Sequence, residues 1–313
     1  MRGTLKTSTL ESKFPLLRVE NNCIISKFAD ITAAYRVTLP ELFTLTGEEY
    51  EALHGAWLKA LKVLPDYTVV HKQDFFIEER YTAPEDGSER SFLARSYERH
   101  FNERPYLRHT CYLFVTKTTP EQMRQTSASS VLCRGFIVPR EMRDTDAVTR
   151  FLEAAEQMER ILNDSGLVHV ERLTETEIVG TADAGLLARY FALSDERSPV
   201  VNEDIRLDPG VMRIGDKFLT MHTLSDLDML PQSVATDFRY ERLSTDRSDC
   251  RLSFAAPVGL LLSCNHVYNQ VIFLDDHDET LKRLEASARN MNSLAGYSRS
   301  NAINREWVRY VAV

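Results

Sequence analysis

Tyr67-Thr-Val-Val-His-Lys-Gln-Asp-Phe-Phe-Ile-Glu-Glu79 carries β-branched and aromatic residues along most of its length, which predicts one long strand. After it, Thr82–Arg90 is a polar loop, and Ser91–Arg104 has the spacing of a helix that Pro105 ends. Thr110–Thr116 is strand-like again. Strand, helix and strand in this order predict helices layered on a shared sheet, so the fold class read from the chain is α+β, with mixed sheets and packed amphipathic helices.

Residues 14–39 read as a β-meander: Phe14–Val19 and Cys23–Ser26 flank the turn-forming Glu20-Asn21-Asn22, and Ile31–Leu39 follows. Thr46-Gly-Glu-Glu49 has the form of a capping box, ahead of a helix whose inner face is Tyr50, Leu53, Trp57, Leu61 and Leu64. Val148, Phe151, Leu152, Ala155, Met158 and Leu162 draw one apolar stripe on a helix spanning Asp144–Asn163, with Gly166 as its stop. Val168–Leu173 reads as a strand. Thr174-Glu-Thr-Glu177 repeats the capping box before a helix expected to reach Leu193, and Ser194–Pro209 reads as a charged loop. Val211–Ile214 and Lys217–Leu224 read as a hairpin about Gly215-Asp216. Phe136–Val138 is a short apolar run, and Leu252–Ala256 and His266–Leu274 read as buried strands.

A long C-terminal helix is expected over Asp278–Val313, with Leu281, Leu284, Ala288, Met291 and Leu294 on one stripe and Trp307 near its end. The pattern reaches the last residue with no Gly, Asn or Pro to close it, which predicts the front part of a longer protein. The organisation expected is an N-terminal α/β subdomain over 1–130, a second α+β subdomain over 131–275, and a helix over 276–313.

The chain has 313 residues and a formal net charge of −8, which argues against a dedicated non-specific DNA binder. The five cysteines, at positions 23, 111, 133, 250 and 264, are scattered without a Cys-x-x-Cys pair, which favours a reducing compartment over a disulfide framework or structural zinc. Cys111 and Cys264 lie in apolar runs and are expected to be buried and inert. The chain start has no apolar signal segment, and Phe254–Cys264 is too short to span a membrane.

Motifs for chemistry fail on inspection. Gly210-Val-Met-Arg-Ile-Gly215-Asp216-Lys217 has the glycine interval of a P-loop, but Asp216 intrudes and Phe218 replaces the hydroxyl that holds magnesium. Asp275-Asp276-His277-Asp278-Glu279 reads as acidic helix capping rather than a metal cluster. No catalytic, cofactor-binding or metal-ligating residue is assigned. The candidate partner surface is Arg95, Arg99, Arg104 and Arg108, together with Trp307. The interleaved Tyr97, Phe101 and Tyr106 suit stacking on single-stranded nucleic acid, although the aromatics are expected to face the core.

Five groups of residues, in order along the whole chain, resemble the N-terminal region of the TraG family of conjugative-transposon ATPases, relatives of the type IV secretion ATPases. They are Leu10-Glu-Ser-Lys-Phe-Pro-Leu-Leu17; Lys62-Val-Leu-Pro-Asp-Tyr67 with Val70-His-Lys-Gln-Asp74; Arg99-His-Phe-Asn-Glu-Arg-Pro-Tyr106; His222-Thr-Leu-Ser-Asp226 with Leu230-Pro231; and Arg289-Asn-Met-Asn-Ser-Leu294 through Tyr297-Ser-Arg299 to Asn304-Arg-Glu306. The resemblance implies a cytoplasmic protein of conjugative DNA transfer, held at the inner membrane through partners, whose N-terminal region docks on the transfer machinery and on neighbouring subunits. It places ATP and magnesium in a later domain with Walker A and Walker B motifs. Those motifs have no matching positions here, so no enzyme activity is expected of this chain. Homo-oligomers are expected as partners, and nucleic acid is not.

Overall fold

Thirteen residues of β4 (Thr68–Arg80) lie antiparallel to thirteen of β5 (Pro105–Lys117), in register from Thr68↔Lys117 to Arg80↔Pro105. This hairpin is the centre of the molecule. The computed structural model describes residues 15–41, 44–81, 91–119, 145–180, 186–187, 205–208, 211–215, 217–224, 229, 231, 233–253, 256 and 262–295. Pro105 is tolerated because it is the first residue of its strand, where the missing N–H breaks no inner ladder.

Before the hairpin come β1 (Leu16–Glu20), β2 (Cys23–Ser26), β3 (Ile31–Thr38) and helix α1 (Gly47–Lys62). Asn21 and Asn22, at φ 52° and 57°, make the β1–β2 turn, a conformation Asn accepts more readily than most residues. Helix α2 (Phe92–Asn102) joins β4 to β5, and α3 (Thr145–Asp164), β6 (His169–Arg172) and α4 (Glu175–Val179) follow. Further along are β7 (Ile205–Asp208), β8 (Val211–Ile214), β9 (Lys217–Leu219), β10 (Phe238–Arg239), β11 (Arg251–Leu252), β12 (His266–Leu274) and α5 (His277–Ala295).

The main sheet has the order β1-β2-β3-β5-β4-β12, every pairing antiparallel, and β6 also pairs with β3. β2 and β6 share one edge of β3, taking Ile31–Ala33 and Tyr35–Thr38 respectively. Within this sheet β3-α1-β4-β5-α3-β6 has strand order β6-β3-β5-β4, the split β-α-β arrangement of ferredoxin-like folds. The fold class is α+β, as the chain predicts. The sheet crosses the boundary read near residue 130, because β6 and β12 from the second segment pair with β3 and β4 of the first.

Helices α1 and α3 cover one face together. Phe151, Ala155, Met158 and Leu162 are essentially inaccessible, and Phe151, Met158 and Leu162 cluster with Tyr35, Leu113 and Val115 from the sheet. Trp57 packs against the same cluster, as expected of a core residue. Ile24, Ala34, Phe75, Tyr112, Leu173 and Ile178 form a second cluster. The opposite parity of Ala34 and Tyr35, and of Tyr112 and Leu113, assigns it to the other face.

Several elements differ from the sequence reading. The helix expected from Thr174 to Leu193 stops at Val179, because Gly180 adopts φ 70°. Leu186 and Leu187 are helical again. The stretch read as a charged loop contains β7, which joins β8 and β9 in a small sheet. Leu252–Ala256 shrinks to β11, paired with β10. β12 is not buried as expected: its central residues are exposed. The C-terminal helix is described as far as Ala295, with Leu281 and Leu284 exposed. Phe136–Val138 and Trp307 lie outside the described residues.

Candidate functional site: the hairpin tip and a buried polar cluster

The β4–β5 ladder outruns its neighbours. β12 stops opposite Phe76, so Ile77–Arg80 and Pro105–Arg108 continue as a two-stranded stalk. Helix α2 connects the two strands at its tip. Ser91 caps it by accepting from the Ala94 N–H at 3.2 Å, and the Glu103 N–H bonds back to the Arg99 carbonyl.

Leu93, Tyr97 and Phe101 recur every fourth residue and share one face of α2. None of the helix is buried: Leu93 is 78%, Tyr97 67% and Phe101 41% exposed. Tyr97 meets Phe101 with ring centroids 4.6 Å apart, and Tyr81 meets Phe101 edge-on at 6.4 Å. The sequence reading expects these rings to face the core. They do not, because the stalk holds the helix away from it. On the other side of the helix, Arg95, Glu98, Arg99, Asn102 and Glu103 line an open, shallow cleft.

The four candidate arginines do not form one patch. Arg95 and Arg99 belong to that cleft, where Glu98 and Glu103 interrupt the positive charge. Arg104 reaches the His100 imidazole at 2.7 Å. Arg108, on the strand, bonds Glu79 at 2.9 Å, and Glu79 also accepts from the Tyr106 hydroxyl at 3.1 Å.

A second cluster has no motif in the sequence to mark it. Lys72 and Asp74 are two apart on β4, and His109 and Cys111 are two apart on β5, so all four share one face. Asp74 is 3% exposed and accepts from Lys72 and, at 2.8 Å, from the His109 ring. Burial pushes the Asp74 carboxyl up, but these two hydrogen bonds and the Lys72 charge outweigh it and hold it below its ordinary value. Burial pushes the neighbouring Cys111 thiol well up, so it stays protonated at neutral pH and is not an activated nucleophile. Phe76 lies between two imidazoles, stacked on His109 at 4.6 Å and on His266 at 4.5 Å. The visible signal was the Lys-x-Asp opposite His-x-Cys alternation, which carries no information about burial.

Cys264 is exposed rather than buried, because it precedes β12 instead of lying within it. The acidic run at 275–279 caps α5, with Asp276 accepting from the Glu279 N–H at 2.8 Å. Among the described residues no group of His, Cys, Asp and Glu could hold a metal ion, and no helix is long and apolar enough to cross a membrane.

Residues 3–55 match the model of a family described as "Domain of unknown function, B. Theta Gene description (DUF3875)". The described part of that stretch is β1, β2, β3 and the first half of α1. No curated protein matches the chain.

Proposed function

We propose that this chain is a non-catalytic assembly domain of a TraG-like conjugation ATPase, which positions the motor on the inner-membrane transfer machinery. The ordered resemblance along the chain supplies the machine. The observation that carries docking is α2, an amphipathic helix held out on a stalk with its Leu93-Tyr97-Phe101 face uncovered. Such a face fits an apolar groove on a partner protein, read at every fourth residue. Catalysis, ATP and magnesium belong in this reading to a separate motor domain.

The double substitution Leu93→Glu/Tyr97→Glu tests it in the transfer element itself. Transfer frequency is expected to fall by at least about tenfold, the loss of one or two anchor residues, with protein level and circular dichroism unchanged. Unchanged transfer would remove α2 as the docking element. Magnesium-dependent ATP hydrolysis by the purified chain, abolished by Lys217→Ala, would overturn the non-catalytic reading.

Single-stranded nucleic-acid binding is the second reading, favoured by the exposure of Tyr97, Phe101 and Tyr106 among arginines. It is the weaker one, since Arg108 is tied to Glu79 and two glutamates divide the rest. Anisotropy of a labelled oligonucleotide at low salt decides it. Binding lost on Tyr97→Ala/Phe101→Ala would favour this reading over protein docking.

A further inference from the structure

The two ends of the main sheet are built differently. At one end, β1 is five residues long, follows Pro15, shifts register between Leu16 and Arg18, and carries Arg18 paired with Glu20 at 2.6 Å. β6, on the same side, carries Glu171 and Arg172. Short length, irregular register, proline and charge are the devices that keep a strand edge from recruiting another strand. At the other end, β12 has none of them. His266-Val-Tyr-Asn-Gln-Val-Ile-Phe-Leu274 contains no Asp, Glu, Lys, Arg or Pro, and its nine residues pair with β4 in unbroken register. Its other side pairs with no described strand. Val271 and Phe273 are exposed on one face, at 47% and 61%, and Ile272 on the other.

We propose that β12 is a self-pairing edge, through which two copies of this chain join as antiparallel strands about a two-fold axis at Gln270. A two-fold axis normal to the sheet keeps each side chain on its own face, so only residues of like parity meet. Centring on Gln270 uses the whole strand. It sets Val267 against Phe273 and Tyr268 against Ile272, each twice by symmetry. Aromatic against β-branched is among the favourable cross-strand pairs. Gln270 meets its own copy, amide to amide.

Charge fits the same occupant. No like charges meet along the paired stretch. In this register Leu274 faces the other copy's His266, and the acidic Asp275-Asp276 that follows each strand runs on past Asn265 and Cys264, so no acid meets another acid. Within the chain, the Asn269 side chain is already engaged, accepting from Gln73 at 2.8 Å and bonded to the His71 ring at 2.9 Å, so the outer main chain is what β12 offers. One strand pairing buries less than a standard interface, and the dimer is therefore weak and concentration-dependent.

Sedimentation velocity of the whole chain, from low micromolar to the highest soluble concentration, tests this. The mean mass of the wild type is expected to rise toward that of a dimer. Gln270→Lys sets two like charges against each other and is expected to stay monomeric throughout, as is Gln270→Glu. An equal mixture of the two variants is expected to recover the dimer, which also shows that neither substitution has spoiled the fold. A wild type that stays monomeric, a dimer untouched by Gln270→Lys, or a mixture that stays monomeric each overturns the proposal.

Discussion

Asp74 keeps a buried negative charge in mid-sheet because two donors, the Lys72 ammonium beside it and the His109 ring across the ladder, hold it there. Asp74→Asn leaves both donors facing a weaker acceptor, and is expected to cost about 2–3 kcal/mol at neutral pH in urea melts. The dependence on pH follows from the lowered carboxyl. Its stabilisation is complete above the unfolded-state value and is lost as pH falls through the still lower folded-state value. The gap between wild type and Asp74→Asn is therefore expected to persist from neutral pH and to close below about pH 4. At this scale the sequence was legible in parity but not in depth. It could place Lys72 with Asp74 on one face, but not say that Asp74 is buried while Tyr97 is exposed.

Asn163 shows how one side chain joins two elements. From the last turn of α3 its amide accepts from the Val170 N–H at 2.8 Å and donates to the Val170 carbonyl at 2.9 Å, acting as a short stretch of backbone beside β6. Val170 is 1% exposed, so Asn163→Ala would strand two buried main-chain groups. A loss of about 2–3 kcal/mol is expected, read by thermal or urea unfolding. Local chemistry of the capping type was legible here. Thr46 and Glu49 bond reciprocally, with the Thr46 N–H to Glu49 at 2.8 Å and the Glu49 N–H to the Thr46 hydroxyl at 3.3 Å. Thr174 and Glu177 make the second box. Element lengths were less legible. Gly180 ended α4 where apolar spacing alone suggested continuation, and β5 began at Pro105 because β4 was there to pair with it.

At the scale of the molecule, composition and the order of elements sufficed for the α+β class. The strand order did not follow from them, since β12 finds β4 almost two hundred residues upstream and no local signal encodes that meeting. The resulting core makes a contrast that melting can check. Phe151→Ala, at the α3–sheet contact, is expected to cost about 3–5 kcal/mol. Phe273→Ala, on the open edge, is expected to change the stability of the monomer by less than about 0.5 kcal/mol.

The stalk and α5 lie at opposite ends of β4: α2 hangs beyond Arg80, while α5 leaves from Leu274, which pairs with Thr68. Strand rise puts these ends about 40 Å apart. A tension applied between them runs parallel to the strands, so the nine β4–β12 pairs are loaded together in shear and not peeled apart in turn. Beyond Phe76 a sideways push on the tip meets, among the described strands, the two-stranded stalk alone, tied to the chain before β12 where Asn265 accepts from the Glu78 N–H at 2.6 Å. The sheet is thus a strut, stiff to pulling along its length and compliant to bending at its end.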